Sequence, residues 1–253
     1  IPSFSCFLSD YEYFDAPMFG ISSGEALLQD CQQRSILEGV ITTRLAGEHK
    51  LREDGFAVGL CGVYVAISAM QYQVEVLDRY WPNQTSPYIA TGNTLSVAAG
   101  RVSFTFGLRG PCFSLDTACS SSIVAMHLTL QGFRVKDCTS AHTCGVISIL
   151  GPGVSTIFYA SGMLSSSGRC KTLDAAADGY VRGEARGVFL MHCVEATDAF
   201  GVAVVGSAIN QDGRSGSLTA PNGPSQQAVM IRAVLDSRTT GSRIDKLQMH
   251  GTG

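Results

Sequence analysis

Apolar residues recur at near-helical spacing at Leu27, Cys31, Leu37, Ile41 and Leu45. They predict a helix over 24–45 with one face in the core and Asp30, Arg34 and Glu38 on a solvated face. The run 56–66 predicts a strand, followed by a loop carrying Pro82 and Pro87. Leu95, Ala98, Ala99, Val102 and Phe106 predict a second helix after Asn93, closed by Gly107, Gly110 and Pro111. A short strand at 112–116 then runs into an apolar helix over 120–135. Strand-like runs return at 145–150, 187–194 and 202–209. A turn-rich stretch, 210–224, feeds a helix over 225–237, and 247–249 ends as a strand. Strands alternating with helices predict α/β layers with mostly parallel pairing.

Composition narrows the class. The chain has 253 residues, enough for one large domain or two fused halves. Hydrophobic residues make up 45% and charged residues 15%, against a usual ~25%, which excludes a disordered polymer. The net charge is −3 and the 14 Arg and 4 Lys are scattered, so no nucleic-acid partner is expected. Residues 143–168 carry no charge and are long enough to be weighed as a membrane span. Gly145, Gly151, Pro152, Gly153, Gly162 and several serines break them up, and a buried strand followed by a loop and short helix is the better reading. Gly179, Gly183 and Gly187 have the spacing of a membrane packing face, but Arg182, Glu184 and Arg186 lie between them, so they read as a turn entering a strand. No membrane span is expected.

Nine cysteines without a CxxC pair or a secretory signal read as reduced thiols of a cytoplasmic protein, most of them small core residues. Cys138, His142 and Cys144 match no common zinc spacing, so no metal is expected. The chain opens on Ile1-Pro2 and closes on His250-Gly251-Thr252-Gly253, and it is read as an excerpt of a longer polypeptide, truncated at both ends.

The sharpest local chemistry lies in Gly110-Pro-Cys-Phe-Ser-Leu-Asp-Thr-Ala-Cys119-Ser-Ser-Ser122, where a strand runs directly into a helix through small residues. Cys119 falls at the helix start. Unpaired amides and the positive end of the helix dipole there favour negative charge on sulfur, and small neighbours admit a substrate. The plainer reading of the same residue is a structural cysteine. His250, after a strand and before Gly251-Thr252-Gly253, is a candidate donor to a substrate carbonyl, although glycine-flanked loop histidines also occur without function. His127 lies on the apolar helix and reads as a core or near-site residue. A competing nucleophile is Ser22, because Gly20-Ile-Ser-Ser-Gly24 matches the GxSxG elbow of serine hydrolases. That elbow requires a preceding strand, and the stretch 11–19, with Asp15 and Pro17, makes a poor one.

Asp116-Thr-Ala-Cys-Ser-Ser-Ser122, preceded by Gly107-Leu-Arg-Gly-Pro111, closely resembles the active-site segment of β-ketoacyl synthase domains of modular polyketide synthases and animal-type fatty acid synthases. Phe14-Asp-Ala-Pro-Met-Phe-Gly-Ile-Ser22, Asp30-Cys-Gln-Gln-Arg34, the segment 174–184, Asn210-Gln-Asp-Gly-Arg214, Leu218-Thr-Ala-Pro-Asn-Gly223 and His250-Gly-Thr-Gly253 follow in the same order and spacing. The resemblance places Ser22 in a structural segment. It implies a thiolase-like fold of two duplicated α-β-α-β-α halves, with 1–253 covering the N-terminal half and the start of the C-terminal half.

By the same resemblance Cys119 is the acyl-accepting nucleophile and His250 the first of two histidines that polarise a malonyl thioester. Thr252 lies near the phosphopantetheine arm, and Thr219 along the same tunnel. The implied activity is decarboxylative condensation in polyketide biosynthesis, with fatty acid synthesis as the alternative. It requires no directly bound cofactor, since substrates arrive on the phosphopantetheine of an acyl carrier protein. Neighbouring synthase domains and a second copy in a two-fold homodimer are the other implied partners. The second histidine, a lysine and a glycine-rich loop of the family would lie beyond Gly253. Ala185, where the family has glycine, and Gln248-Met249 before His250 depart from its pattern.

Overall fold

The computed structural model describes residues 4–53, 60–68, 71–194, 202–217 and 220–251, and in it the run Cys-Gly-Val-Tyr-Val-Ala-Ile forms β1 (Cys61–Ile67). Every residue of β1 is buried, as a strand covered on both faces should be. Its side chains alternate. Cys61, Val63, Val65 and Ile67 enter one apolar cluster, and Tyr64 and Ala66 enter another on the opposite face. β1 pairs in parallel with β2 (Cys112–Leu115) on one side and β3 (Ser140–Ile147) on the other. β4 (Ala185–His192) adds antiparallel to β3, giving the order β2-β1-β3-β4.

Helices cover both faces. α1 (Ser23–Leu28) and α2 (Cys31–Glu53) precede the sheet; α2 packs on β3 and β4, while α5 (Leu95–Phe106) packs on β1 and β2. Between β1 and α5 lie a π-helical turn at Gln73–Leu77, the single turn α3 (Asp78–Tyr80) and α4 (Pro87–Asn93). α6 (Ser121–Arg134) lies against the other face, on β1 and β3, and α7 (Pro152–Ala160) follows β3. Arg101 of α5 ties the first layer together, donating to Glu25 Oε1 at 2.7 Å and to Gln33 Oε1 at 2.9 Å. Arg186 of β4 pairs with Glu38 of α2 at 3.0 Å. All of this belongs to one compact unit, Ile1–His192 with His250–Gly253.

The second unit, Cys193–Met249, is built around α8 (Gly223–Asp236). Asn222 caps α8 through the Ser225 amide at 3.3 Å and is itself fixed by Asp212, whose carboxylate accepts from the Asn222 amide at 3.1 Å.

Several expectations need correction. The helix expected over 24–45 is two helices, broken where Gln29 is extended (φ −91°, ψ 133°). Asp30 is wholly buried, and its carboxylate caps α2 by accepting from the Gln32 amide at 2.7 Å. Leu27 and Leu45, expected on the core face, are exposed; the two helices face the core instead through Ala26, Ile36, Leu37 and Val40. The stretch expected to be a loop at Pro82 and Pro87 contains α4, since Pro87 sits at the first helical position, where proline starts a helix. β3 begins at Ser140, ahead of its apolar end. The stretches 202–209 and 247–249 form no strand among the described residues. An extended segment becomes a strand only by pairing, and Ser207 instead donates to Asp236 Oδ2 at 2.8 Å. The expected strand at 56–66 is seen only from Cys61, because 56–59 lie outside the described residues. Of the nine cysteines, four are buried and five exposed, so most are not core residues.

Candidate active site

The connection from β2 to α6 is a short turn. Asp116 Oδ1 accepts from the Ala118 amide at 2.8 Å. Ser121 Oγ accepts from the Thr117 amide at 2.8 Å and donates to the Ala118 carbonyl at 2.6 Å. Ser120 Oγ donates to the Thr117 carbonyl at 2.8 Å. These bonds hold Ala118 at φ 56°, a left-handed conformation that costs a residue with a Cβ about 1–2 kcal/mol. The reversal carries Cys119 out of the strand line and leaves it exposed, two residues before α6 begins.

Beneath this turn, Gly145 of β3 faces Ser122 so closely that a Cβ there would overlap Ser122 Oγ. The helix start therefore sits directly on the sheet. Deeper in the same contact, Thr129 of α6 and Thr143 of β3 bond through their buried hydroxyls at 2.7 Å.

A loop leading to β4 borders the turn. Tyr180 is half-buried, and burial chiefly pushes its phenol up; Arg182 opposes that, and the neighbouring Cys119 adds to it. Tyr180 is fixed through its backbone, donating to the Met163 carbonyl and accepting from the Ser165 amide, each at 3.0 Å. Gly179 precedes it at φ 125°, where a Cβ would come within 2.6 Å of the Leu164 backbone. Asp178 accepts from Ser165 Oγ at 2.8 Å, Ser166 Oγ at 3.0 Å and Lys171 Nζ at 2.8 Å. Those bonds, that from Lys171 foremost, hold its carboxyl well below the usual carboxylate range. Glu184 ends the loop, accepting from the Ile149 amide at 2.7 Å and the Leu8 amide at 2.9 Å. Arg182 donates to Ser155 Oγ at 2.7 Å and lies over the Phe158 ring, at the edge of a cavity of about 300 Å³ lined also by Phe4, Phe7 and Leu164.

His250 is exposed and belongs to the same compact unit as Cys119, although no strand precedes it among the described residues. The adjoining Gly251 carbonyl accepts from Thr172 Oγ, which ties this segment to the loop before β4. Thr219 and Thr252 lie outside the described residues. Ser22 is no nucleophile elbow. A 3₁₀ turn at Ala16–Phe19 precedes it in place of a strand, and its hydroxyl caps α1 by accepting from the Glu25 amide at 3.2 Å. Cys138 packs with Tyr64 on one face of the sheet and Cys144 with Val63 and Val65 on the other; no group of three metal-ligating side chains forms among the described residues.

Sequence reasoning quoted the segments that hold Asp116, Ser121, Asp178 and Tyr180 but gave none of these four residues a role of its own. The available signal was an Asp two residues before an Ala that must turn, followed by three serines able to bond the backbone.

The sequence profile of the Beta-ketoacyl synthase, N-terminal domain, matches residues 2–196. The chain belongs to the β-ketoacyl synthase family. The profile of that family's C-terminal domain matches 202–253. This ketosynthase chain is 44% identical over 252 residues to the polyketide synthase GfsE of Streptomyces halstedii, covering 98% of the chain and 6% of that protein. It is 40% identical over 251 residues to the spectinabilin polyketide synthase system protein NorC of Streptomyces orinoci, covering 98% of the chain and 11% of that protein. Among solved structures it resembles the ketosynthase from module 6 of the Bacillus subtilis bacillaene synthase, with TM-score 0.79, 31% identity and coverage of 96% of this chain and 41% of that one. An oxazolomycin ketosynthase domain from Streptomyces albus superposes with TM-score 0.84 at 29% identity, covering 98% of this chain and 42% of that one. The ketosynthase chain thus spans about two fifths of those structures. Its mixed sheet with flanking helices is the α/β thiolase-like fold of the family. No described helix is long and apolar enough to cross a membrane.

Proposed function

We propose that the protein containing this chain joins carrier-bound acyl units by decarboxylative Claisen condensation in polyketide biosynthesis. Cys119 attacks the carbonyl of an acyl thioester and expels the phosphopantetheine thiol of the acyl carrier protein, leaving the acyl group on sulfur. A carrier-bound malonyl unit then loses CO₂. The resulting α-carbanion attacks the Cys119 thioester, the new carbon–carbon bond forms, and the Cys119 thiolate leaves. His250 donates to the malonyl thioester oxygen as negative charge develops there. Thr252 and Thr219 are assigned to the phosphopantetheine arm.

The observation that carries this reading is the position of Cys119, exposed on a strained turn directly ahead of α6, in a chain of the β-ketoacyl synthase family. A protein that only gates chains has no use for a nucleophile held in this way. Relatives named as polyketide synthases favour that pathway over fatty acid synthesis. The acyl carrier protein, adjoining synthase domains and a second copy are the proposed partners. The second copy is assigned to the open edge of β2, where Cys112 and Phe113 are exposed. Incubating the full synthase module with an acyl thioester and malonyl carrier protein tests the reading. A β-ketoacyl carrier product that disappears with Cys119→Ala supports it, and a product that persists contradicts it.

A further inference from the structure

We infer that Asp116 is a positioning residue for the nucleophile, acting through the backbone of Ala118 rather than by touching substrate. The inference rests on the assignment of Cys119 as the acyl acceptor.

Asp116 is the first residue after β2, and its two oxygens do different work. Oδ1 accepts from the Ala118 amide at 2.8 Å, closing a tight local turn. Oδ2 accepts from Ser68 Oγ at 3.2 Å, at the end of β1. The carboxylate therefore anchors the nucleophile turn to the neighbouring strand of the sheet. Ser121, itself buried, grips the same turn from the helix side through the Thr117 amide and the Ala118 carbonyl. Ala118 lies between these two grips at φ 56°. Alanine leaves the left-handed region when nothing holds it, and the residue that moves with it is Cys119. Release of the Ala118 amide would let the sulfur swing away from the start of α6 while the rest of the fold stayed in place.

The test uses the full synthase module and hexanoyl-N-acetylcysteamine as the acyl donor, with acylation of the Cys119 peptide followed by mass spectrometry over a range of donor concentrations. Asp116→Ala is expected to lower the saturating acylation rate about 30-fold while the half-saturating donor concentration changes less than about threefold, because geometry is lost and donor binding is not. Asp116→Asn keeps an acceptor oxygen and is expected to stay within about fivefold of the unaltered protein. Asp116→Ala with Ala118→Gly is expected to recover most of the loss, since glycine adopts positive φ without the side chain's help.

An unaltered rate in Asp116→Ala overturns the inference, and so does a loss that glycine at 118 fails to relieve. Should Asp116→Ala fold too poorly to assay, Ser121→Ala loosens the same turn and carries the same expectation, and full acylation by it counts against the inference. Failure of the underlying reading looks different: the unaltered protein would then carry its hexanoyl group on another residue.

Discussion

Gly145 of β3 lies beneath Ser122 of α6 so that a Cβ at position 145 would overlap Ser122 Oγ and press on Ser122 Cβ, and the serine would have to shift. The start of α6, and with it Cys119, is seated on the sheet at that point. Gly145→Val is therefore expected to push α6 outward, destabilise the domain by about 1–3 kcal/mol and depress acylation of Cys119 together with stability. Urea unfolding and thioester labelling of the same variant check both halves. A variant as stable and as reactive as the original would show that the seat is unimportant.

Glu184 joins two segments 35 and 176 residues distant in sequence, through the Ile149 and Leu8 amides. Its carboxylate is the acceptor for both. Glu184→Ala should cost about 2–3 kcal/mol in urea unfolding, with Glu184→Gln losing less because one acceptor oxygen remains. Equal losses would mean that charge, rather than the bonds, matters.

Stability should fall with acidity in a window set by His142. This residue is buried on β3 with Nδ1 unbonded, and burial, with the charges of Arg44 and His192 adding to it, pushes the imidazole down to about 4 from 6.5. The unfolded chain takes up the proton first, so stability is complete above about 6.5 and declines as pH falls toward 4, by roughly 3 kcal/mol from this group. Unfolding by urea at several pH values between about 7.5 and about 4.5 measures the slope, and His142→Leu should flatten it. An undiminished slope in that variant would assign the acid sensitivity elsewhere.

The arrangement of strands was legible in the sequence where burial is two-sided. β1 is an unbroken apolar run, and 112–116, 145–150 and 187–194 were recognised to within a few residues of β2, β3 and β4 or one of their ends. The polar start of β3 was not, because Ser140, His142 and Thr143 are buried in a central strand whose faces are covered by α2 and α6, whatever their own polarity. Asp30 misled for a related reason: a carboxylate that caps a buried helix start looks, in sequence, like a solvated one. The position of Cys119 just ahead of α6 was legible because strand, small residues and helix follow one another without interruption. The bonds that hold its turn were not found, since they depend on which way Asp116 and Ser121 point.

The exposed edge of β2 gives the proposed dimer a testable form. Phe113 is 52% exposed on that edge. Phe113→Lys in the full module should convert a dimer to monomer in sedimentation at micromolar concentration, whereas a dimer that survives would place the interface elsewhere.

His250 is assigned to the malonyl step, so His250→Ala should load an acyl group on Cys119 at a rate within about threefold of the unaltered module, yet lose condensation by about 100-fold or more. Loss of loading with retained malonyl decarboxylation would reverse the assignment.

The most direct measurement of the whole account is the site of acylation. The full module, treated with hexanoyl-N-acetylcysteamine and digested, should carry the hexanoyl mass on the peptide containing Cys119, and Cys119→Ala should carry none. A hexanoyl group on Cys112 or another thiol, or label undiminished in Cys119→Ala, would contradict it.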